Sequence, residues 1–345
     1  MLQTALHDSA KKARYVASFL RRGLVHTNLQ LLYDCNFRCR ICDFWKDEYK
    51  SRPRLSASQV EVISGKLAEI GPQIVSIGGG EPLMHPEIVE VVRALGRHHF
   101  PVMICNGWMV NPKVARSLWA AGMYEISVSV DYAEPAKHDL QRGIPGAYER
   151  AFAALKTLHE SRTLPEQRVH MISVVMDDNI DDLERLIERC RDLGITFLLT
   201  LYSSGRGDKP KLAVPGDVSE RLLALKRKHK NFVALSGYLG RFSQALRDNG
   251  VAGCRAGKNL CNIDNHGNVS LCIDRLDAPV GNILTDEMRV LEKRLLEFHD
   301  RNTCGSCWTS CRGTIETLMY GRAPHKALWD YFQMARPIPL GGAFA

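Results

Sequence analysis

From about Thr27 onward, short apolar runs alternate with longer stretches in which apolar residues recur every three or four positions. The short runs are "NLQLLY", "QIVSIGG", "FPVMICN", "YEISVSVD", "RVHMISVVM" and "TFLLTLY", all of strand length. Between them, "SASQVEVISGKLAEIG", "HPEIVEVVRALGRH", "PKVARSLWAAG" and "IDDLERLIERCRDLG" carry the helical period. Six strands, each followed by a helix, predict a parallel α/β domain, because parallel neighbours need crossover helices. In such folds the chemistry gathers at the C-terminal ends of the strands. The pattern divides the chain into a basic helix over 1–26, the α/β domain over 27–210, a charged helical connector over 211–250, a compact cysteine-rich segment over 251–320 and a tail over 321–345.

No apolar run approaches the ~20 residues needed to span a bilayer. The N-terminus carries charge throughout and lacks the apolar core of a secretory signal, so a cytoplasmic, reducing setting is expected for the eleven cysteines. An odd count also argues against a fully paired disulfide framework. The formal charge of +8 is spread out except at Lys11, Lys12, Arg14, Arg21 and Arg22. With Tyr15, Val16, Phe19 and Leu20 as its apolar side, that helix can dock on the main domain or lie on an anionic membrane surface. No stripe of basic and aromatic residues is visible, so direct nucleic-acid binding is not expected.

Candidate chemistry concentrates in the cysteines. "YDCNFRCRICDFW" places Cys35, Cys39 and Cys42 directly after the first strand, where a parallel barrel builds its site. By contrast, Cys190 on a helix face reads as packing, as does Cys105 at a strand end. Zinc typically takes two pairs at C-x2–4-C spacing, but here a third thiol joins one pair and the nearest downstream histidine, His85, is far off. Three thiols on one loop with the fourth position unfilled suit a [4Fe-4S] cluster with one open iron. A second group, Cys254, Cys261, Cys272, Cys304, Cys307 and Cys311, signals a metal-stapled module, zinc or iron–sulfur, in a segment too small to bury a comfortable core.

"CNFRCRIC" resembles the C-x3-C-x2-C loop of the radical S-adenosylmethionine (SAM) enzymes, with Ile41 where an aromatic residue is usual. The resemblance implies that Cys35, Cys39 and Cys42 hold a [4Fe-4S] cluster whose open iron chelates the methionine moiety of SAM. "GGGEPLMHP" resembles the family's next motif, which implies that Gly79, Gly80 and Glu81 hold the methionine amino group. By the same resemblance Asn106 and Gly107 shape the cofactor pocket, Ser129 and Asp131 approach the ribose, and Arg142 meets the carboxylate. Arg206 in "YSSGRG" is a further match on the cofactor side. Tyr132-Ala133 replaces the usual glycine after the aspartate, and Tyr132 is the one catalytic candidate, its ring sent towards substrate. The family implies a partial (βα)6 TIM-like barrel, reductive cleavage of SAM, and hydrogen abstraction by a 5′-deoxyadenosyl radical.

The C-terminal segment, from "CRAGKNLCNIDNHGNVSLC" to "CGSCWTSC", resembles the SPASM and twitch auxiliary-cluster domains. "IDNHGNVSLC" also reads independently as a hairpin turning at His266-Gly267. The resemblance implies at least one auxiliary [4Fe-4S] cluster, held by Cys254, Cys272, Cys304 and Cys307, with Cys261 and Cys311 as substitutes or as ligands of a second cluster. That cluster would accept an electron or anchor the substrate. A flavodoxin- or ferredoxin-type donor is implied as partner, and the substrate is a small molecule, a peptide or a lipid. The ~80-residue leader-binding module of many peptide maturases has no place before the first strand, which favours a small molecule or a peptide delivered by a partner. The rival reading is a zinc-stabilised binding protein with a degenerate barrel.

Overall fold

The computed structural model describes residues 2–46, 53–176, 178–202 and 217–340. The chain opens with α1 (Leu2–Leu20), and then β1 (His26–Leu32), β2 (Ile74–Gly79), β3 (Phe100–Cys105), β4 (Glu125–Ser129), β5 (Arg168–Val175) and β6 (Thr196–Leu201) form consecutive parallel pairs. The crossovers are α2 (Ala57–Ile70), α3 (Ile88–Gly96), α4 (Pro112–Ala120), α5 (Pro135–Arg142) with α6 (Ala147–Glu160), and α7 (Leu183–Asp192). Most present an apolar stripe to the sheet, α7 burying Leu183, Leu186, Ile187 and Cys190, whereas α5 buries His138, Gln141 and Arg142. The helix starts are written in the sequence: Ser56 and Gln59 close a capping box on α2, and Asn111 caps α4 ahead of Pro112.

The connector contains α8 (Val218–Lys228), α9 (Ser236–Leu239) and α10 (Phe242–Arg247). Its Asn231–Val233 stretch bonds to Phe197, covering the outer edge of β6. The cysteine-rich segment is less separate than the sequence suggests. Its strand β7 (Leu260–Ile263) pairs in parallel with β1, and β8 (Asn268–Ser270) and β9 (Gly281–Asn282) continue the sheet antiparallel. The hairpin expected at His266-Gly267 is therefore present as β7–β8, and it extends the barrel sheet. Helices α11 (Met288–Asp300) and α12 (Ser310–Tyr320) complete the segment. The residues beyond 320 are not a plain tail: α13 (Pro324–Met334) forms there.

Candidate functional site

The cysteine loop leaves β1 at its C-terminal end and is pinned from two sides. From β2, the Gly80 N–H donates to Leu32 O (2.8 Å) and the Glu81 N–H to Asp34 O (2.9 Å). From α5, Arg142 O accepts from the Arg38 N–H (3.3 Å) and Gln141 O from the Arg40 N–H (3.0 Å). Only glycine fits where the first pair forms. A Cβ on Gly80 would lie 2.0 Å from Asp34 O, and Gly79, at φ 116°, would bring one within 2.1 Å of Leu32 O. The glycine run thus sets the root of the loop that carries the thiols.

Around the thiols the packing is apolar: Phe37, Cys39 and Ala147 are buried, with Cys35, Ile41, Cys42, Trp108 and Ile144 against them. Burial pushes the Cys35 thiol up to about 12, with Cys39, Glu81 and Cys42 adding to the rise. It also raises Cys39, against the pull of the Arg142 guanidinium, whose Nη1 is 4.0 Å from Cys39 Sγ. Soft thiol donors packed among apolar side chains beside the Arg142 guanidinium fit an iron–sulfur cluster. Glu81 lies next to them, 2 % exposed, accepting from the Leu83 N–H (3.0 Å) and the Asn106 N–H (2.8 Å). Burial lifts its carboxyl to about 7 despite those two bonds. A carboxylate has about four acceptor sites, so two bonds leave capacity for an ammonium group. Asn106 ties the same corner together, donating from Nδ2 to Asn36 Oδ1 on the loop (2.7 Å).

Other expected residues behave differently. Asp131 is fully buried; it pairs with Arg142 Nη2 at 2.7 Å and accepts from the Val174 N–H at 3.0 Å. Its carboxylate is thereby engaged within the protein, by Arg142 and the backbone of β5. The pair braces the end of α5 that holds the cysteine loop. Tyr132, expected to point towards substrate, is 2 % exposed, donates to Asp178 Oδ1 (2.8 Å) and packs with Met176, Ile41, Val174, Tyr202 and Leu246. It supports the loop through Ile41. Ser129 ends β4 and is half-buried. Arg206 lies outside the described residues.

In the C-terminal segment Cys254, Cys272 and Cys307 lie within electrostatic reach of one another, and burial raises all three, Cys254 to about 11 and Cys272 to about 12. Cys304 joins them through its carbonyl, which accepts from the Cys254 N–H (3.4 Å), and Cys311 lies near Cys307. Cys261 does not join. It sits in β7, fully buried, with Sγ 3.4 Å from Thr27 Oγ1 of β1, because the strand pairing turns it into the sheet.

Sequence reading missed Arg312, one residue after Cys311. Its Nη1 donates to Cys307 O (2.7 Å) and lies 3.8 Å from Cys307 Sγ, its Nη2 donates to Val251 O (2.5 Å), and its Nε donates to Glu316 Oε1 (2.8 Å). Burial works against its charge, but the hydrogen-bonded Glu316 carboxylate favours the ionised guanidinium. A lone arginine beside a cysteine motif gave no signal; its i,i+4 spacing to Glu316 did.

Tetrahedral Zn–S bonds of about 2.3 Å place thiolates roughly 3.8 Å apart. Among the described residues, the one group of three or more such ligands with all donor atoms within 4.8 Å is Glu184, Glu188 and His229. Glu184 there is already taken by Lys228 (2.7 Å) and His229 (3.0 Å). Among the described residues no triplet of cysteines meets that 4.8 Å spacing.

A model of the radical SAM superfamily matches residues 29–190. Mycofactocin maturase MftC from Mycobacterium ulcerans is 31% identical over 314 residues, covering 82% of this chain and 80% of that protein. An AdoMet-dependent heme synthase from Methanosarcina barkeri is 26% identical over 308 residues, covering 81% and 86%. Among solved structures, Streptococcus suis SuiB bound to precursor peptide SuiA is similar with a TM-score of 0.63 at 17% identity, over 81% of this chain and 68% of that one. Native anSMEcpe with bound AdoMet gives a TM-score of 0.62 at 15% identity, over 90% and 96%. Both share the fold.

Proposed function

This chain belongs to the radical SAM superfamily and is a radical-based modifying enzyme, and from that premise we propose that Cys35, Cys39 and Cys42 hold its SAM-binding cluster while the C-terminal thiols hold an auxiliary one. The bound cluster and SAM supply one-electron cleavage of SAM and hydrogen abstraction from the substrate. The chain's own part is positioning. Gly79 and Gly80 let β2 close on the loop root, the Asp131–Arg142 pair fixes its far side, and apolar side chains pack around the thiols. Glu81 offers a carboxylate to the methionine ammonium. Cys254, Cys272, Cys304 and Cys307 hold the auxiliary cluster, with Cys311 the substitute nearest to them. The relative at 31% identity is named a maturase, which favours a peptide precursor as substrate over a lipid.

The observation that carries this reading is the three-thiol loop, pinned in an apolar shell at the C-terminal end of β1 beside buried Glu81. Anaerobic purification followed by iron and sulfide analysis tests it. Roughly eight irons per chain, two cubanes, and 5′-deoxyadenosine on reduction with SAM are expected. A colourless protein carrying zinc and releasing none would favour the binding-protein reading instead.

Glu81→Ala should weaken SAM binding roughly ten- to a hundredfold, the loss of a charged hydrogen bond of about 1.5–3 kcal/mol. Equilibrium dialysis of the reconstituted protein measures it, with iron content expected unchanged. The same carboxylate caps the Leu83 and Asn106 N–H groups, so the melting temperature is recorded alongside. Unaltered affinity in a folded variant would reduce the glycine-glutamate turn to a structural corner.

A further inference from the structure

The end of the barrel opposite the cysteine loop carries an apolar surface that the chemistry does not use. Tyr15 of α1 packs edge-on against Phe100, the first residue of β3 (5.5 Å), and Phe100 against Tyr124, just ahead of β4 (5.4 Å). Tyr331 of α13 lies within electrostatic reach of both tyrosines. The chain after α13 is clasped to the same end. Arg168, which opens β5, donates to Arg336 O (2.9 Å), and Arg162 donates to Ile338 O and Pro339 O (3.0 Å each). The Ile338 N–H completes the clasp on Pro165 O (3.1 Å). So α1 and α13 both cover the N-terminal ends of the strands.

Both helices leave large apolar side chains in water. Trp329 is 65% exposed and Phe332 64%, and Leu328 shares their stripe at i,i+3 and i,i+4 spacing. On α1, Val16 and Leu20, the latter 75% exposed, stand one turn apart. Leu164 and Leu340, flanking the clasp, are exposed as well. Exposed basic side chains lie along the same elements: Lys12 on α1, Arg21 just after it, Lys326 on α13 and Arg336 after it. The acidic residues on α13 and the described part of α1 are engaged, Asp330 with Lys226 (3.3 Å) and Asp8 with Lys11 (3.4 Å).

We propose that this face docks on an anionic lipid surface, with α1 and α13 lying in the plane of the interface. Tryptophan prefers the headgroup region, and an apolar stripe rimmed by lysine and arginine binds membranes that carry negative charge. No described helix is long and apolar enough to cross the bilayer, so the contact is peripheral. The cysteine loop, at the other end of the strands, then faces the aqueous side. This inference does not depend on the identity of the substrate.

Vesicle sedimentation of the reconstituted full chain tests it, with phosphatidylcholine vesicles compared to vesicles containing phosphatidylglycerol. Binding to the anionic vesicles should be at least tenfold tighter and should weaken with added salt. Trp329→Ser with Phe332→Ser should reduce it by about a hundredfold, the loss of two buried aromatic side chains. Iron content and melting temperature of that variant should stay as in the parent, since both side chains are exposed. Equal partitioning to neutral vesicles, or undiminished binding by the folded double variant, overturns the proposal. So does analytical ultracentrifugation showing that the two substitutions dissolve a dimer, which would assign the face to a second copy of the chain.

Discussion

Replacing Cys35, Cys39 and Cys42 together with alanine should reduce 5′-deoxyadenosine formation from SAM to background, while irons per chain fall from roughly eight to roughly four. The loop is held by backbone bonds from β2 and α5, none of which needs a thiol, so its course should survive the substitutions. The Asp131–Arg142 pair beneath also keeps its partners when Cys39 goes. A folded barrel with intact auxiliary iron and no cleavage is the expected result, read by chromatography of the quenched reaction and by iron analysis. Cleavage at the parent rate by the triple variant would remove these thiols from the cofactor site.

The second large effect belongs to Cys272 and Cys307. Metal in a small thiolate module often supports its fold, so the trivial outcome of losing both is unfolding beyond about Gly250. Three features argue that the segment stays in place. β7 is laddered to β1, Trp308 is buried with Nε1 donating to Tyr238 O (3.0 Å), and Arg312 keeps Glu316 and Val251 O after the thiols are gone. The double alanine variant should therefore resist protease like the parent, keep the first cluster and still cleave SAM slowly. Modified substrate should disappear, so the ratio of 5′-deoxyadenosine to product should rise by an order of magnitude or more. An unchanged ratio in a folded variant lacking the auxiliary iron would make the second site scaffolding only.

Much of this was legible in the chain, and the parts that were not share a physical cause. All six barrel strands were marked by apolar runs bounded by helical periods, signals that lie within a few residues of one another. The cysteine loop and the Gly79–Glu81 turn were equally local. What escaped depends on partners far apart in sequence. Nothing in "LCNI" announces that β7 will lie beside β1, and so nothing warned that Cys261 would face Thr27, 234 residues away, instead of a metal. That Asp131 and Arg142 lie together as a buried ion pair is likewise set by the fold and not by either motif alone.

The pairing of β7 with β1 also bears on how the chain acquires its structure. Strand β1 is made early, yet the partner for one of its edges is synthesised more than 200 residues later, a separation that slows folding through the entropy of closing so long a loop. Until that partner arrives, the nascent barrel carries an open strand edge right beside the root of the cysteine loop, the kind of edge that invites aggregation. The pairing thus links the two cysteine-bearing regions through one sheet. The C-terminal segment acts as a closing strand for the barrel, and a nascent chain released before about residue 260 would present that edge bare.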